Sequence, residues 1–124
     1  MRNISISVII CTRNRPDDIA AFLPSLAEQT YTDFELIIVD SSDVPLNKNR
    51  TFDAAVQPFI DCYTYLHSDP GLTLQRNKGI SVASGEIIYF FDDDVILQPD
   101  YIAIMQDTFA QNPYYLGGMG AITN

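Results

Sequence analysis

The chain alternates runs that are apolar throughout with runs that are apolar on one side only. Residues 4–11 (Ile-Ser-Ile-Ser-Val-Ile-Ile-Cys) begin by alternating and end continuous, as a strand entering a covered core does. Ile19, Phe22, Leu23 and Leu26 then recur at the spacing of one helix face. Asp17 or Asp18 stands where an N-cap belongs, and Pro24 inside the pattern predicts a kink or a later start. Residues 34–39 predict a second strand, closed by Asp40-Ser41-Ser42. The polar stretch 43–50 reads as a loop, 51–60 as a short helix limited by Pro58, and 63–67 as a third strand. Asp69-Pro70-Gly71 is a turn signal. Residues 74–83 predict a helix that Gly85 stops, and 86–91 a fourth strand. Residues 99–111 predict a helix with Ile102, Met105 and Phe109 on one side. A fifth strand over 114–122 is weakened by Gly117, Gly118 and Gly120.

Strands alternating with helices over short links mean an α/β fold, a mostly parallel sheet flanked by helices on both faces. Val8-Ile9-Ile10 and Leu36-Ile37-Ile38-Val39 are apolar on both sides, the mark of central parallel strands. Ligands of such sheets bind at the carboxyl ends of the strands, where the strand order reverses. The polar clusters fall there. The first strand ends in Thr12-Arg13-Asn14-Arg15, the second in Asp40-Ser41-Ser42 and the fourth in Asp92-Asp93-Asp94.

Composition narrows the partners. The 124 residues suffice for one domain, with no linker and no internal repeat. A net charge of −9 argues against nucleic acid and anionic lipid, which select a basic face, and suits a protein that recruits cations. Cys11 and Cys62, without a CxxC pairing, read as buried free thiols of a reducing, cytoplasmic setting. The first residues carry no signal-peptide pattern, and no transmembrane segment is expected because no apolar run is long enough.

The acidic triplet carries the most chemistry. On a continued strand, Asp92 and Asp94 would leave on one side, about 6.6 Å apart, and Asp93 on the other. Crowded carboxylates resist ionisation unless a cation is near, and a hard ion, Mn2+ or Mg2+, is the natural one. The bland alternative is that the acids solvate a strand end or cap a helix. A nucleoside diphosphate fits the remaining residues. Asp40, an acceptor only, suits a base N–H or a ribose hydroxyl. Arg13 and Arg15 can stack on a base or pair with phosphate. Asp92 and Asp93 can accept from ribose hydroxyls, and Asp94 can ligate the ion. The turn after the first strand has no glycine, so neither GxGxxG nor the Walker pattern is present and no glycine-lined cradle holds the phosphates. Arg76 or Asn77 can reach the same rim, or form a solvated helix face. His67 is assigned nothing.

These stretches together resemble the N-terminal part of a family 2 glycosyltransferase with the GT-A fold. The residues that carry the resemblance run in order: 7–16 as the opening strand and its polar end; Glu28-Gln29-Thr30 and then 34–40; Arg76-Asn77-Lys78-Gly79-Ile80 with Ala83-Ser84-Gly85-Glu86; and Asp92-Asp93-Asp94 as the DxD motif. The resemblance implies a Rossmann-like nucleotide-sugar-binding half. It implies that Thr12, Arg13 and Arg15 line the base pocket, that Asp40 contacts the base, and that Arg76 lies near the base or diphosphate. Asp92 and Asp93 would serve the ribose or metal-bound water, with Asp92 a further candidate ligand, and Asp94 would bind Mn2+ or Mg2+. Transfer would run with inversion from a nucleotide-sugar donor to a saccharide or lipid-linked acceptor, at the inner face of a membrane or in the cytoplasm. The family's base carboxylate follows the stretch present here, so residues 1–124 are expected to form a donor-binding half, and an uncovered apolar edge to favour a homo-oligomer. Rivals are a nucleotide-binding module without catalysis, a phosphohydrolase of the haloacid dehalogenase type with Asp92 as nucleophile, and a receiver-like domain. The phosphohydrolase lacks its downstream lysine and acids, and the receiver finds after the third strand only Asp69, in an Asp-Pro-Gly turn.

Overall fold

The computed structural model describes residues 5–112. Four strands form one parallel sheet: β1 (Ile6–Thr12), β2 (Glu35–Asp40), β3 (Tyr63–His67) and β4 (Ile87–Phe91), in the order β3-β2-β1-β4. The helices are α1 (Pro16–Ala27), α2 (Arg50–Ala55), α3 (Leu72–Val82) and α4 (Tyr101–Gln111), with short 3-10 turns at Leu46–Lys48 and Gln57–Cys62. The expected α/β architecture is the observed one. The expected fifth strand over 114–122 lies outside the described residues.

The two faces of the sheet are covered unequally. Val8 and Ile10 of β1 and Leu36 and Ile38 of β2 join Phe22, Leu23 and Leu26 of α1, Phe52 of α2 and Ile102 of α4 in the larger core. Phe91 of β4 packs its ring between Phe22 and Tyr101, with centroids 5.9 and 5.6 Å away. On the opposite face Ile9, Ile37 and Val39 form a smaller core beneath α3. That helix turns only Gln75 and Gly79 inward as buried residues. A Cβ at Gly79 would sit 2.7 Å from Ile9 Cγ2, so glycine sets how closely α3 approaches β1.

Local expectations differ from the structure at three places. Neither Asp17 nor Asp18 caps α1. Pro16 opens the helix at its first position, where its missing N–H costs nothing, and the two acids lie in the first turn beside the positive helix end. The helix starts there and runs past Pro24 to Ala27. Gly85 does not stop α3, which ends at Val82. A Cβ on Gly85 would meet Ser7 N at 2.5 Å, so this glycine permits β1 and the start of β4 to lie against each other. The short helix expected over 51–60 divides at Val56 into α2 and a 3-10 turn that carries Pro58 near its start.

Candidate functional site

The strand order reverses beside β1. The chain runs β1, β2, β3 outward in one direction and then returns to place β4 on β1's other edge. Loops leaving β1 and β4 must diverge there, and a crevice opens at the carboxyl ends of the two strands. It encloses about 370 Å³ and is lined by Cys11, Thr12, Arg13 and Arg15 from the end of β1, by Asp92, Asp93 and Asp94 from the end of β4, and by Leu72 and Gln75 of α3. Six of the residues singled out from sequence therefore share one wall-to-wall space: Thr12, Arg13, Arg15 and the three aspartates.

The acidic triplet does not continue the strand. β4 ends at Phe91, and Asp93 and Asp94 form a turn. The expected alternation is accordingly replaced by a different division. Asp93 is buried, 6% exposed, whereas Asp92 and Asp94 are exposed. Thr12 Oγ1 donates to Asp93 Oδ2 at 2.7 Å and so ties the ends of β1 and β4. Arg15 lies on Asp93 and Asp94 together, with Nη1 3.5 Å from Asp93 Oδ1 and Nη2 3.2 Å from Asp94 Oδ2. Burial raises the Asp93 carboxyl above its ordinary range, against the lowering effects of the Thr12 hydroxyl and the Arg15 charge. Arg15 is held more firmly protonated, chiefly by its hydrogen bond to Asp18 and then by the Asp93 charge.

The end of β2 is fastened to this wall. Thr12 pairs with Asp40 in register, and Ser41 N donates to Thr12 O at 3.0 Å. Asn14, at φ 55° in the left-handed region that Asn tolerates, receives its backbone geometry from Ser42 and Asp43. Its N–H donates to Ser42 Oγ at 2.8 Å, and its side-chain oxygen accepts from Asp43 N at 2.9 Å. Arg13 extends over the same loop, with Nη2 3.8 Å from Asp43.

Asp40 and Arg76 stand apart from the lining. Asp40 is fully buried, and its carboxylate accepts from Ser42 N, the Ser42 hydroxyl, Leu46 N and the Tyr65 hydroxyl, the last at 2.6 Å. As folded it anchors the loop after β2, and contact with a ligand requires one of these partners to yield. The Tyr65 hydroxyl is correspondingly hard to ionise, through burial and then its bond to Asp40. Arg76 lies on the exposed side of α3 with its guanidinium carbon 5.4 Å from the centre of the Phe90 ring.

Gln75 is the residue that sequence reasoning missed. It is 5% exposed, and its Nε2 donates to Thr12 O at 3.1 Å and Val39 O at 3.0 Å. It thereby fastens α3 to the ends of β1 and β2, adding a second donor to Thr12 O, which Ser41 N also reaches. The available signal was its position one helical turn before Gly79, hence on the same sheet-facing side. Asp18 was also missed as a partner. Its Oδ2 accepts from Arg15 Nε at 3.0 Å, the i,i+3 spacing that a helix start provides.

Among the described residues no three His, Cys, Asp or Glu side chains are grouped so as to hold a metal ion by themselves. The aspartates offer hard oxygen donors to the crevice, and a guanidinium already stands among them as a cation. This donor set fits an Mn2+ or Mg2+ ion that takes its remaining ligands from a phosphate.

Residues 7–123 match the family model described as glycosyl transferase family 2. Among curated proteins the chain is 29% identical over 116 residues to a glucosyl-dolichyl phosphate glucuronosyltransferase of Haloferax volcanii, covering 89% of this chain and 36% of that protein. The chain thus spans about a third of the length of the curated relatives it matches. In structure it is similar to TarS of S. aureus, with a TM-score of 0.76 at 20% identity over 97% of this chain and 39% of that one. It is likewise similar to a mannosyltransferase of Pyrobaculum calidifontis solved with GDP-Man and Mn2+, with a TM-score of 0.72 at 23% identity over 89% of this chain and 33% of that one.

Proposed function

Because the chain belongs to glycosyl transferase family 2, we propose that it is the donor-binding portion of a glycosyltransferase, taking a nucleoside diphosphate sugar into the crevice between β1 and β4. The observation that carries this reading is the wall that unites Thr12, Arg13 and Arg15 with Asp92, Asp93 and Asp94 at the reversal of strand order. Two structural neighbours support it, TarS solved with UDP-GlcNAc and the Pyrobaculum enzyme solved with GDP-Man and Mn2+.

In this reading Asp94, exposed at the mouth, holds a divalent ion together with the diphosphate, and Asp92 faces the same space. When bound, the ion neutralises the charge that develops on the leaving diphosphate. Thr12 holds Asp93 in place, and Asp93 accepts from a ribose hydroxyl. Arg13 and Arg15 flank the nucleotide with planar cations, while Arg76 provides positive charge on the α3 side. Asp40 sets the loop against which the base rests. The sugar is transferred with inversion to a saccharide or lipid-linked acceptor. No described residue is assigned as the base. Among the described residues no helix is long and apolar enough to cross a membrane.

Calorimetric titration with UDP, dTDP and GDP, each with Mn2+ and with chelator, tests the reading. We expect one of them to bind, and chelator to weaken it. In Asp94→Ala the chelator-sensitive part of the affinity is expected to disappear while the circular dichroism spectrum is kept. Equal affinity with and without Mn2+ in the unmodified chain overturns the metal assignment.

A further inference from the structure

The acidic end of the crevice already contains a cation of the chain's own. All three guanidinium nitrogens of Arg15 face carboxylates: Nε at 3.0 Å from Asp18, Nη1 at 3.5 Å from Asp93 and Nη2 at 3.2 Å from Asp94. The three acids come from two elements, the first turn of α1 and the turn after β4, and Arg15 connects them. A guanidinium has donors and no lone pair, so it cannot help to ligate a metal. It uses carboxylate lone pairs that an ion would need, and its positive charge repels an ion brought to the same place. The acids, for their part, do not form a metal cage unaided.

We propose that Arg15 is a built-in placeholder for the divalent ion. It keeps the ion out of the empty crevice, and it exchanges its carboxylate partners for the diphosphate when nucleotide and ion arrive together. This inference rests on the donor site proposed above and adds an order to it. The geometry suits an exchange. The planar fork that binds carboxylates binds phosphate oxygens equally well. The Arg15 side chain is about half exposed, 45%, so it can turn without disturbing the core. Its backbone, by contrast, stays fixed at the start of α1, where Arg15 O accepts from Ile19 N at 3.2 Å. The move is therefore one of side-chain rotation alone. Once Arg15 faces the phosphate, Asp94 is released for the ion, and the two ligands strengthen each other's binding. By thermodynamic linkage the factor is the same whichever binds first.

The experiment uses the full chain and two probes, Mn2+ and UDP, alone and together. Electron paramagnetic resonance counts free Mn2+, and calorimetry follows UDP. For Arg15→Gln we expect Mn2+ alone to bind about tenfold more tightly than in the unmodified chain, a change of ~1.4 kcal/mol. UDP in the presence of Mn2+ should bind more weakly, and the mutual enhancement of the two ligands should fall, leaving the part that direct contact between ion and diphosphate supplies. Mn2+ affinity that is unchanged or weaker in Arg15→Gln, with the fold intact, overturns the placeholder. A second measurement needs no variant. The Arg15 Nε resonance of the unmodified chain should move on addition of UDP with Mg2+ and stay in place with Mg2+ alone. Movement with Mg2+ alone also overturns the proposal. Absence of any Mn2+-dependent nucleotide binding in the unmodified chain counts instead against the donor site itself, which separates the two failures.

Discussion

Thr12 donates its hydroxyl to a carboxylate that is almost wholly buried, and this bond ties the ends of β1 and β4, two strands that pair along their length and frame the crevice. Hydrogen bonds to charged acceptors contribute about 1.5–3 kcal/mol. Thr12→Val keeps the side-chain shape and removes the donor, so we expect a loss of stability of that order, read from the urea midpoint, together with weaker nucleotide binding. The glycines test packing at the same scale. At Gly85 an added methyl meets the Ser7 backbone, which cannot retreat, while at Gly79 it meets the side chain of Ile9. Overpacking costs about 1–3 kcal/mol, and Ala in a helix recovers about 1 kcal/mol over Gly. That gain applies inside α3 and not in the loop at Gly85. Gly85→Ala should therefore lower the urea midpoint clearly more than Gly79→Ala. A larger effect at Gly79 would show that α3, not the β1–β4 junction, is the tighter contact.

The ends of the elements are held by a few shared side chains. At the amino end of the sheet, Glu35 of β2 accepts from the Ser7 hydroxyl of β1 and from both the backbone and hydroxyl of Ser84, and Ser7 Oγ accepts from Gly85 N at 2.8 Å. Burial raises the Glu35 carboxyl, but these donors outweigh it and hold the group below the usual glutamate range. A depressed folded value contributes stability above the ordinary glutamate pKa and loses it as pH falls through the folded value. Glu35→Gln should accordingly be less stable than the unmodified chain near neutrality. The difference should shrink as pH drops below about 4.3. Urea melts at a series of pH values check this, and a gap that widens on acidification would contradict it. Just past the end of α1, Gln29 performs a comparable task for α4. Its Oε1 accepts from Ile102 N at 3.1 Å and its Nε2 donates to Gln98 O at 2.7 Å.

For the molecule as a whole, the proposed ligands connect β1, β4 and α1, so their binding should stabilise the entire domain. A ligand that binds only the folded chain adds about 2.7 kcal/mol at a hundredfold excess over its Kd. For a domain of this size we expect the thermal midpoint to rise by several degrees with UDP and Mn2+, or with whichever nucleotide proves to bind, and to return on adding chelator. An unchanged midpoint at these concentrations would mean that the folded chain does not bind the pair in preference to the unfolded one. The architecture itself was legible along the chain. Runs such as Val8-Ile9-Ile10 and Leu36-Ile37-Ile38-Val39 are buried on both sides in any parallel sheet, and periodicity is a local property. So was the meeting of Thr12, Arg15 and the aspartates at one rim, because strand ends on one side of a parallel sheet converge whatever their distance in sequence. The partners of each side chain were not legible. The strand's end at Phe91 was legible, but the turn behind it was not, and it is that turn that buries Asp93 and lays Asp94 against Arg15. Gln75 and Asp40 likewise acquire their roles only from carbonyls and N–H groups that the fold delivers from distant segments. Local pattern determined which elements form and which chemistry reaches the rim. Long-range packing alone decided which charge faces which.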